Sequence, residues 1–532
     1  MSTYAARAFN LSRTSTTLFG AFIDAAHRFG RAKEVLEDAE RAPLTYQRAI
    51  IGSLVLGGKL AEVTKRGEAV GVLLPNVNGL VVTLLGLNAY GRIAAMLNFT
   101  SGIKNLKSAV KTAEVRTLVT SRRFIDTAKL EDVIAALSAV EVVPGKPLRI
   151  VYLEDVRRGI GTKDKLLGAV RALFARSHVQ RHGLGPDRPA AILFTSGTEG
   201  TPKGVVLSNR NLIANAQQIA QHAANALTSA DTAMNPLPMF HSFGLTAGTL
   251  FPLFNGMKVV LYPSPLHYKQ VPGLIRETKA TVLFATDTFL QGYGRAADDG
   301  DLATVRNVIC GAERVKDTTR ALWSKWGTMI LEGYGATECS PVIACNLPPN
   351  NTPGTVGAML PGIEARLDPV AGISDGGKLV VRGPNVMLGY MRAENPGLIE
   401  PPEGGWHDTG DIVSIDGNGL IAIKGRAKRF AKIGGEMISL AAVESMVASL
   451  WPQSNHVVVS LPDARKGEQL VLVTDKADAD KAALMGEAKA QGFAELWVPR
   501  AILVVSQIPM LGTGKTDFAA TVELARRSRP LL

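Results

Sequence analysis

The run Thr195-Ser196-Gly197-Thr198-Glu199-Gly200-Thr201-Pro202-Lys203-Gly204 follows the apolar stretch Ala191-Ile192-Leu193-Phe194. Its glycines let the backbone fold tightly round an anion, exposed N–H groups donate, and the Ser and Thr hydroxyls add donors. Lys203 supplies a compact point charge suited to phosphate. The chemistry is polyphosphate binding, which points to a nucleotide-using enzyme. Taken alone, the run also fits a solvated turn between two elements.

Four further segments carry chemistry-bearing residues. His241 lies among aromatics in Leu237-Pro238-Met239-Phe240-His241-Ser242-Phe243-Gly244, although a lone histidine is more often structural. Glu332-Gly333-Tyr334-Gly335-Ala336-Thr337-Glu338 can stack a base on Tyr334, approach phosphates at its glycines and hold a hard cation on Glu338. The competing reading is a turn around a buried tyrosine. In Trp406-His407-Asp408-Thr409-Gly410-Asp411, Asp411 could grip a ribose diol or simply stabilise its own turn. Near the end, Pro509-Met510-Leu511-Gly512-Thr513-Gly514-Lys515-Thr516 presents Lys515 on a glycine-rich loop, or merely as a solvated lysine.

Two spacings are set aside. Gly514-Lys515-Thr516 ends like a Walker loop, but Pro509 stands where that motif needs glycine. His182 and Asp187 have the H-x4-D spacing of glycerolipid acyltransferases, but they lie in a Gly/Pro-containing linker just before the phosphate run.

The elements that must position these residues are legible in outline. Val70–Leu74, Thr117–Thr120, Arg149–Leu153, Lys258–Leu261 and Thr281–Phe284 are short apolar runs separated by helix-like stretches, of which Gly79–Tyr90 is one. Such alternation predicts parallel sheets covered on both faces. From Gly354 to Ile423, Asp375-Gly376-Gly377 and Asp416-Gly417-Asn418-Gly419 punctuate short alternating runs such as Lys378–Val381, predicting a small antiparallel subdomain. Beyond the basic segment Lys424–Lys432, a helix over Leu440–Ser449 and strands near Val457–Leu461 and Leu470–Val473 predict a compact α+β domain.

Composition bounds the function. The 532 residues exceed one ordinary core, and 46% hydrophobic with 20% charged residues describes a globular chain. The balance of 59 basic to 47 acidic residues gives +12, favouring acidic partners, but no dense basic tract with interleaved aromatics marks nucleic acid. Three cysteines without a pairing framework read as reduced thiols of a cytoplasmic protein. Pro75, Asn76, Asn78, Asn88 and Arg92 break the most apolar region, so a buried strand and helix are expected there, not a membrane span.

In their order along the chain, these segments resemble the adenylate-forming superfamily of acyl-CoA synthetases, adenylation domains and luciferases, from about residue 45 to 518. More narrowly, Ala95–Thr100, Leu261–Tyr268 and Gly425–Ile433 resemble the acyl-acyl carrier protein synthetase half of a bifunctional acylglycerophosphoethanolamine acyltransferase. That resemblance implies an α/β fold: a large N-terminal AMP-binding domain (1–425) of parallel-rich sheets flanked by helices, with a β-rich subdomain at about 354–423. A hinge (426–428, centred on Lys428) and a small mobile α+β C-terminal domain (429–532) follow.

The resemblance also implies roles. Thr195, Ser196, Gly197, Thr198, Glu199, Gly200, Thr201 and Lys203 would wrap the phosphates of ATP. Tyr334 and Gly335 would meet adenine, with Gly311, Ala312 and Glu313 lining the base pocket. Thr337 would contact the α-phosphate, Glu338 would hold Mg²⁺, Asp411 would take the ribose hydroxyls, and Arg426 would assist there. His241 would help gate acyl entry, and Lys515 would be the mobile catalytic lysine. Where many relatives have Thr or Ser the chain has Glu199, an acid that the narrower group shares.

The implied reaction joins a fatty acid, through acyl-AMP, to the phosphopantetheine thiol of acyl carrier protein. Coenzyme A is the alternative acceptor. Carrier proteins are acidic, and Lys428, Arg429, Lys432, Arg465 and Lys466 could form a docking face, or an ordinary solvated surface. A silent lipid-binding relative is disfavoured because Glu338, Asp411, Arg426 and Lys515 occur together. A role in lysophospholipid reacylation would need a separate acyltransferase partner. Peripheral contact with an anionic membrane at its inner face is left open.

Overall fold

The computed structural model describes residues 2–196, 202–373, 375–433, 436–463, 467–510 and 516–528, apart from the side chains of Ser196, Pro349 and Lys428. The chain groups into two compact units. One comprises Ala5–Glu364 and Arg382–His407; the other comprises Met1–Tyr4, Ala365–Val381 and Asp408–Leu532.

The larger unit is built on two sheets. The eight-stranded sheet runs in the order Asn395–Glu400, Gly389–Arg392, Pro202–Ser208, Pro189–Ser196, Ile93–Met96, Ala69–Val72, Thr117–Thr120, Arg149–Tyr152. Its pairings from Pro189–Ser196 to Arg149–Tyr152 are parallel. Alternation along the strands buries both faces: Ala191 and Leu193 join one apolar core, and Ile192 joins another with Leu118 and Val206. The nine-stranded sheet carries a parallel run from Glu34–Asp38 through Lys258–Leu261, Thr232–Asn235, Val282–Ala285 and Asn307–Cys310 to Met329–Gly335. Both sheets and the helices Leu18–Phe29, Tyr46–Val63, Asn78–Ala89 and Asn209–His222 contribute to the first core.

Part of the turn-rich region joins these sheets. Ala358–Met359 pairs with Val342–Cys345, and Gly389–Arg392 pairs with Pro202–Ser208. The second pairing buries Met391 in the core that holds Ile192 and Val206, an apolar gain that a turn pattern does not reveal.

The polar residues of the most apolar region are absorbed inside the fold. Asn88 Oδ1 accepts from Phe19 N (2.9 Å), and its amide donates to Asn209 Oδ1 (2.8 Å). Buried Arg92 donates to Thr64 Oγ1 (3.0 Å) and Thr64 O. Among the described residues no helix is long and apolar enough to cross a membrane. Cys310, Cys339 and Cys345 are free thiols, and burial pushes the Cys345 thiol up to about 12.

The smaller unit carries the expected antiparallel pairing of His407–Ile415 with Ile421–Arg426, in a sheet that includes Gly377–Arg382. Its C-terminal part folds a second sheet, in which His456–Asp463 and Gly467–Thr474 pair antiparallel. Helix Leu440–Leu450 lies against them, opened by Ser439 Oγ accepting from Ala442 N at 3.3 Å.

In the larger unit two helices meet through glycines. A Cβ on Gly57 would lie 2.4 Å from the Gly86 carbonyl oxygen, and one on Gly86 would lie 2.8 Å from the Ser53 oxygen. Gly57→Ala is therefore expected to force Tyr46–Val63 from Asn78–Ala89 at a cost of about 2 kcal/mol. Denaturant titration of the variant checks this; an unchanged midpoint would show that the crossing relaxes freely.

Candidate functional site

Thr195 and Lys203 face each other across an antiparallel hairpin formed by Pro189–Ser196 and Pro202–Ser208. Gly197, Thr198, Glu199, Gly200 and Thr201 connect them and lie outside the described residues, as does the Ser196 side chain. The hairpin leads straight into helix Asn209–His222 through a capping box, with Ser208 Oγ accepting from Asn211 N and Asn211 Oδ1 accepting from Ser208 N. The Asn211 amide also donates to Pro384 O (2.9 Å) and Val386 O (2.7 Å), tying the helix to the approach of strand Gly389–Arg392.

That strand brings in a residue the sequence reading passed over. Tyr390, opposite Val205, donates its phenol to Glu338 Oε1 at 2.7 Å. Lys203 Nζ lies 5.6 Å from the centre of its ring and Arg392 Cζ 5.2 Å. Burial, and then the Glu338 charge, raise the phenol's pKa, so it stays a donor. Val386-Met387-Leu388-Gly389-Tyr390 offers only an apolar run ending in Gly-Tyr, a signal too ordinary to find it.

Glu338 sits in the short helical turn Thr337–Cys339, half-buried, with its own carbonyl accepting from Met387 N at 2.8 Å. Among the described residues no cluster of three or more His, Cys, Asp or Glu could cage a metal ion. A single oriented carboxylate fits magnesium that arrives with substrate phosphates, since that ion takes one or two carboxylates and keeps phosphate and water oxygens.

The His241 segment meets this region. Ser242 Oγ donates to Thr337 Oγ1 at 3.4 Å. A Cβ on Gly311 would lie 3.3 Å from Phe243 and 3.5 Å from the Gly333 carbonyl oxygen. His241 itself is half-buried, its ring edge-on to Phe240 at 4.7 Å. Tyr334 is buried on the strand beside them. Gly335 admits no side chain, since a Cβ would lie 2.2 Å from the Pro341 oxygen. Ala312 is left-handed (φ 68°), and the Glu313 carboxylate accepts from Thr288 N and Oγ1, both at 2.9 Å.

Directly after His241 the chain winds as a π-helix, Phe243–Leu250, a form that often marks functional sites. Buried Asn235 holds it, donating to Gly244 O and Thr249 Oγ1, each at 3.0 Å. Behind it lies a cavity lined by Ile219, Ala223, Leu227, Ala247, Phe251 and Phe284, and by Ile309, Leu331 and Val342 from the neighbouring strands.

Asp411 and Arg426 belong to the smaller unit, paired across its sheet with Nε to Oδ1 at 3.0 Å. Asp408, the other carboxylate of that turn, is taken by Lys378 (2.7 Å) and Gly410 N (2.9 Å). Lys515, Arg465 and Lys466 lie outside the described residues, as does the Lys428 side chain. The docking face loses one expected member. Arg429 turns inward to Glu444 (2.6 Å) and Val458 O (3.0 Å), with its guanidinium 3.8 Å from the centre of the Phe518 ring. A half-buried carboxylate and an aromatic face hold it more firmly than solvent does. The acyltransferase-like spacing is occupied as well: His182 packs on His178 (4.5 Å) and Asp187 pairs with Arg210 (2.5 Å).

The model of the family described as "AMP-binding enzyme" matches residues 22–391. The chain belongs to this family. It is 25% identical over 529 residues to "Long-chain-fatty-acid--CoA ligase" of Bacillus subtilis (strain 168), covering 94% of this chain and 93% of that one. It is 27% identical to "3-[(3aS,4S,7aS)-7a-methyl-1,5-dioxo-octahydro-1H-inden-4-yl]propanoyl:CoA ligase" of Rhodococcus jostii (strain RHA1), covering 95% and 98%. The ATP-bound MatB structure from Rhodopseudomonas palustris superposes with a TM-score of 0.79 at 25% identity, covering 96% of this chain and 99% of that one. The protein is thus an adenylate-forming enzyme of the acid–thiol ligase class.

Removing the Tyr390 hydroxyl takes a hydrogen bond from a charged acceptor, worth about 1.5 kcal/mol. Tyr390→Phe is expected to raise the KM for magnesium–ATP about tenfold with kcat nearly unchanged, and excess magnesium should recover part of the loss. Steady-state kinetics at several magnesium concentrations check this; an unchanged KM would mean the phenol does not position Glu338.

Proposed function

We propose that this ligase activates a fatty acid with ATP and delivers the acyl group to the phosphopantetheine thiol of an acyl carrier protein. The fatty substrate is supported by the fatty-acid ligase among the relatives, and a small cavity of about 30 Å³, whose walls Ile309 and Leu331 lie two residues before Gly311 and Gly333, marks an apolar wall on that side of the sheet. An alkyl chain would have to widen this cavity as it enters, with its carboxylate left at the strand ends.

In the first half-reaction a carboxylate oxygen attacks the α-phosphorus and pyrophosphate leaves. In the second a thiol sulfur attacks the acyl carbon, AMP leaves, and the thiol proton passes to solvent. The first step brings anions together. Lys203 and the loop 195–201 would hold the leaving pyrophosphate, Thr337 would contact the α-phosphate, and Lys515 would offset charge at the reacting phosphorus. Tyr334, with Gly311, Ala312 and Glu313, would take adenine, Asp411 with Arg426 would take the ribose, and His241 would guard acyl entry. Bound magnesium supplies charge neutralisation, and Glu338 is the carboxylate that would hold it.

Lys515 has no task in the second step. Rotation of 429–532 about the hinge at Lys428 would withdraw it and admit the thiol. The preference for a carrier protein rests on the resemblance of residues 95–100, 261–268 and 425–433, and on Glu199. Coenzyme A is the second reading, supported by the coenzyme A ligases among the relatives.

AMP release with fatty acids of graded length, offered holo-carrier protein or coenzyme A, tests the reading. Turnover with carrier protein is expected. Turnover only with coenzyme A would overturn the acceptor, and no AMP with any acid would overturn the fatty substrate. Lys515→Ala should lower ATP/pyrophosphate exchange by about a hundredfold or more while largely sparing thioester formation from supplied acyl-adenylate. An equal loss in both half-reactions would refute the division of labour.

A further inference from the structure

One helix of the larger unit turns its large apolar side chains outward. On Thr162–Leu173 and the residue after it, Leu166 and Leu173 are each 66% exposed and Phe174 is 65% exposed, with Leu167 and Val170 exposed between them. At about 3.6 residues per turn these five share an arc of roughly 120°. The inward face is made of small residues instead. Ala172 is buried, and a Cβ on Gly168 would lie 2.3 Å from Val55 Cγ2 on helix Tyr46–Val63. Asp164 pairs with Lys59 on the same helix at 3.0 Å. The usual pattern of a surface helix is inverted, and a contiguous apolar patch of this kind marks an interaction surface.

The charges around the stripe say what it meets. Lys163 lies within the same arc and is exposed, while Lys165 is exposed on the helix's flank and Arg157 and Arg181 on the two adjoining helices. The acids nearby are already engaged: Asp164 with Lys59, and Asp155 with Arg122 (2.7 Å) and with Arg158. A second copy docked stripe to stripe would set these cations against each other. An anionic lipid surface offers opposite charge at headgroup level and a fluid apolar layer beneath it. A convex row of Leu, Val and Phe can enter that layer without a matching groove.

We infer that Thr162–Phe174 is an interfacial helix that seats the protein on an anionic bilayer, with Leu166, Val170, Leu173 and Phe174 dipping into the acyl boundary. Twelve residues rise about 18 Å, short of the roughly 30 Å of hydrocarbon, so the helix lies in the interface plane. The inference does not depend on which acid or thiol the enzyme uses.

Flotation of the full-length protein with phosphatidylcholine vesicles, alone or mixed with phosphatidylglycerol, tests it. The wild type is expected to float with the anionic vesicles. Leu173→Ser/Phe174→Ser should weaken partitioning at least about tenfold. Lys163→Ala should weaken it about fivefold, and only on anionic vesicles. Should the Ser pair misfold, Leu166→Trp on the otherwise native protein is expected to gain quenching by brominated lipid beyond that of the wild type. The inference is overturned if the wild type stays at the bottom of the gradient, or if the Ser pair floats as well as wild type. It is equally overturned if the stripe proves to mediate self-association or carrier-protein binding without flotation.

Discussion

Strands buried on both faces leave little except their ends for chemistry, and this constraint governs where the loop residues of the larger unit's candidate site lie. Ala191 and Ile192 face opposite apolar cores, so the strand carrying them can offer a ligand only beyond Phe194. The same holds in the nine-stranded sheet. Ser242 follows Thr232–Asn235, Gly311 follows Asn307–Cys310, and Thr337 follows Met329–Gly335. These run parallel, so their carboxyl ends open on one side, where open α/β sheets bind ligands. The hairpin at Thr195–Lys203 adds an antiparallel return, which sets a lysine beside the hydroxyl at a strand end.

How much of this was legible depended on the physics of each residue. Thr117–Thr120 and Lys258–Leu261 are strands as their apolar runs predict, because a doubly buried strand needs unbroken apolar residues. The run from Thr195 to Gly204 and the Tyr334–Glu338 segment stand out in the sequence because glycine, hydroxyl and charge gather in short stretches, and each begins at the end of a strand. Tyr390 was not legible: its role comes from a sheet pairing with a strand some 185 residues earlier in sequence, roughly opposite Val205. The inward turn of Arg429 was hidden for the same reason, since Glu444 and Val458 reach it only once helix and sheet are packed. Local composition marks unusual loops well and long-range charge neutralisation poorly.

Tyr390 also shows how a cationic neighbourhood keeps a carboxylate in use. Lys203 and Arg392 both lie near the phenol ring, yet the hydrogen bond to Glu338 comes from the phenol. An ammonium bound directly to Glu338 would spend both charges on one another. A neutral donor orients the carboxylate without neutralising it, and Lys203 keeps its own charge. Such an arrangement suits a site that must hold both signs of charge within a few ångströms.

The alternation of the nine-stranded sheet links that polar end to the apolar cavity. Ile309 and Gly311 lie on one face of their strand, as do Leu331 and Gly333 on theirs, because side chains repeat every two residues. The cavity is walled by Ile309 and Leu331. One step along, the same face carries glycine, where Gly311 lies beside Phe243 and the Gly333 oxygen with no room to spare. The wall therefore changes from branched hydrocarbon to glycine within a single repeat, and the space a side chain would take there is filled by the Phe243 ring. The glycine keeps its backbone pairing, with Gly311 N donating to Ala285 O. The fold thus packs an aromatic ring against the strand end where a larger residue would have blocked it.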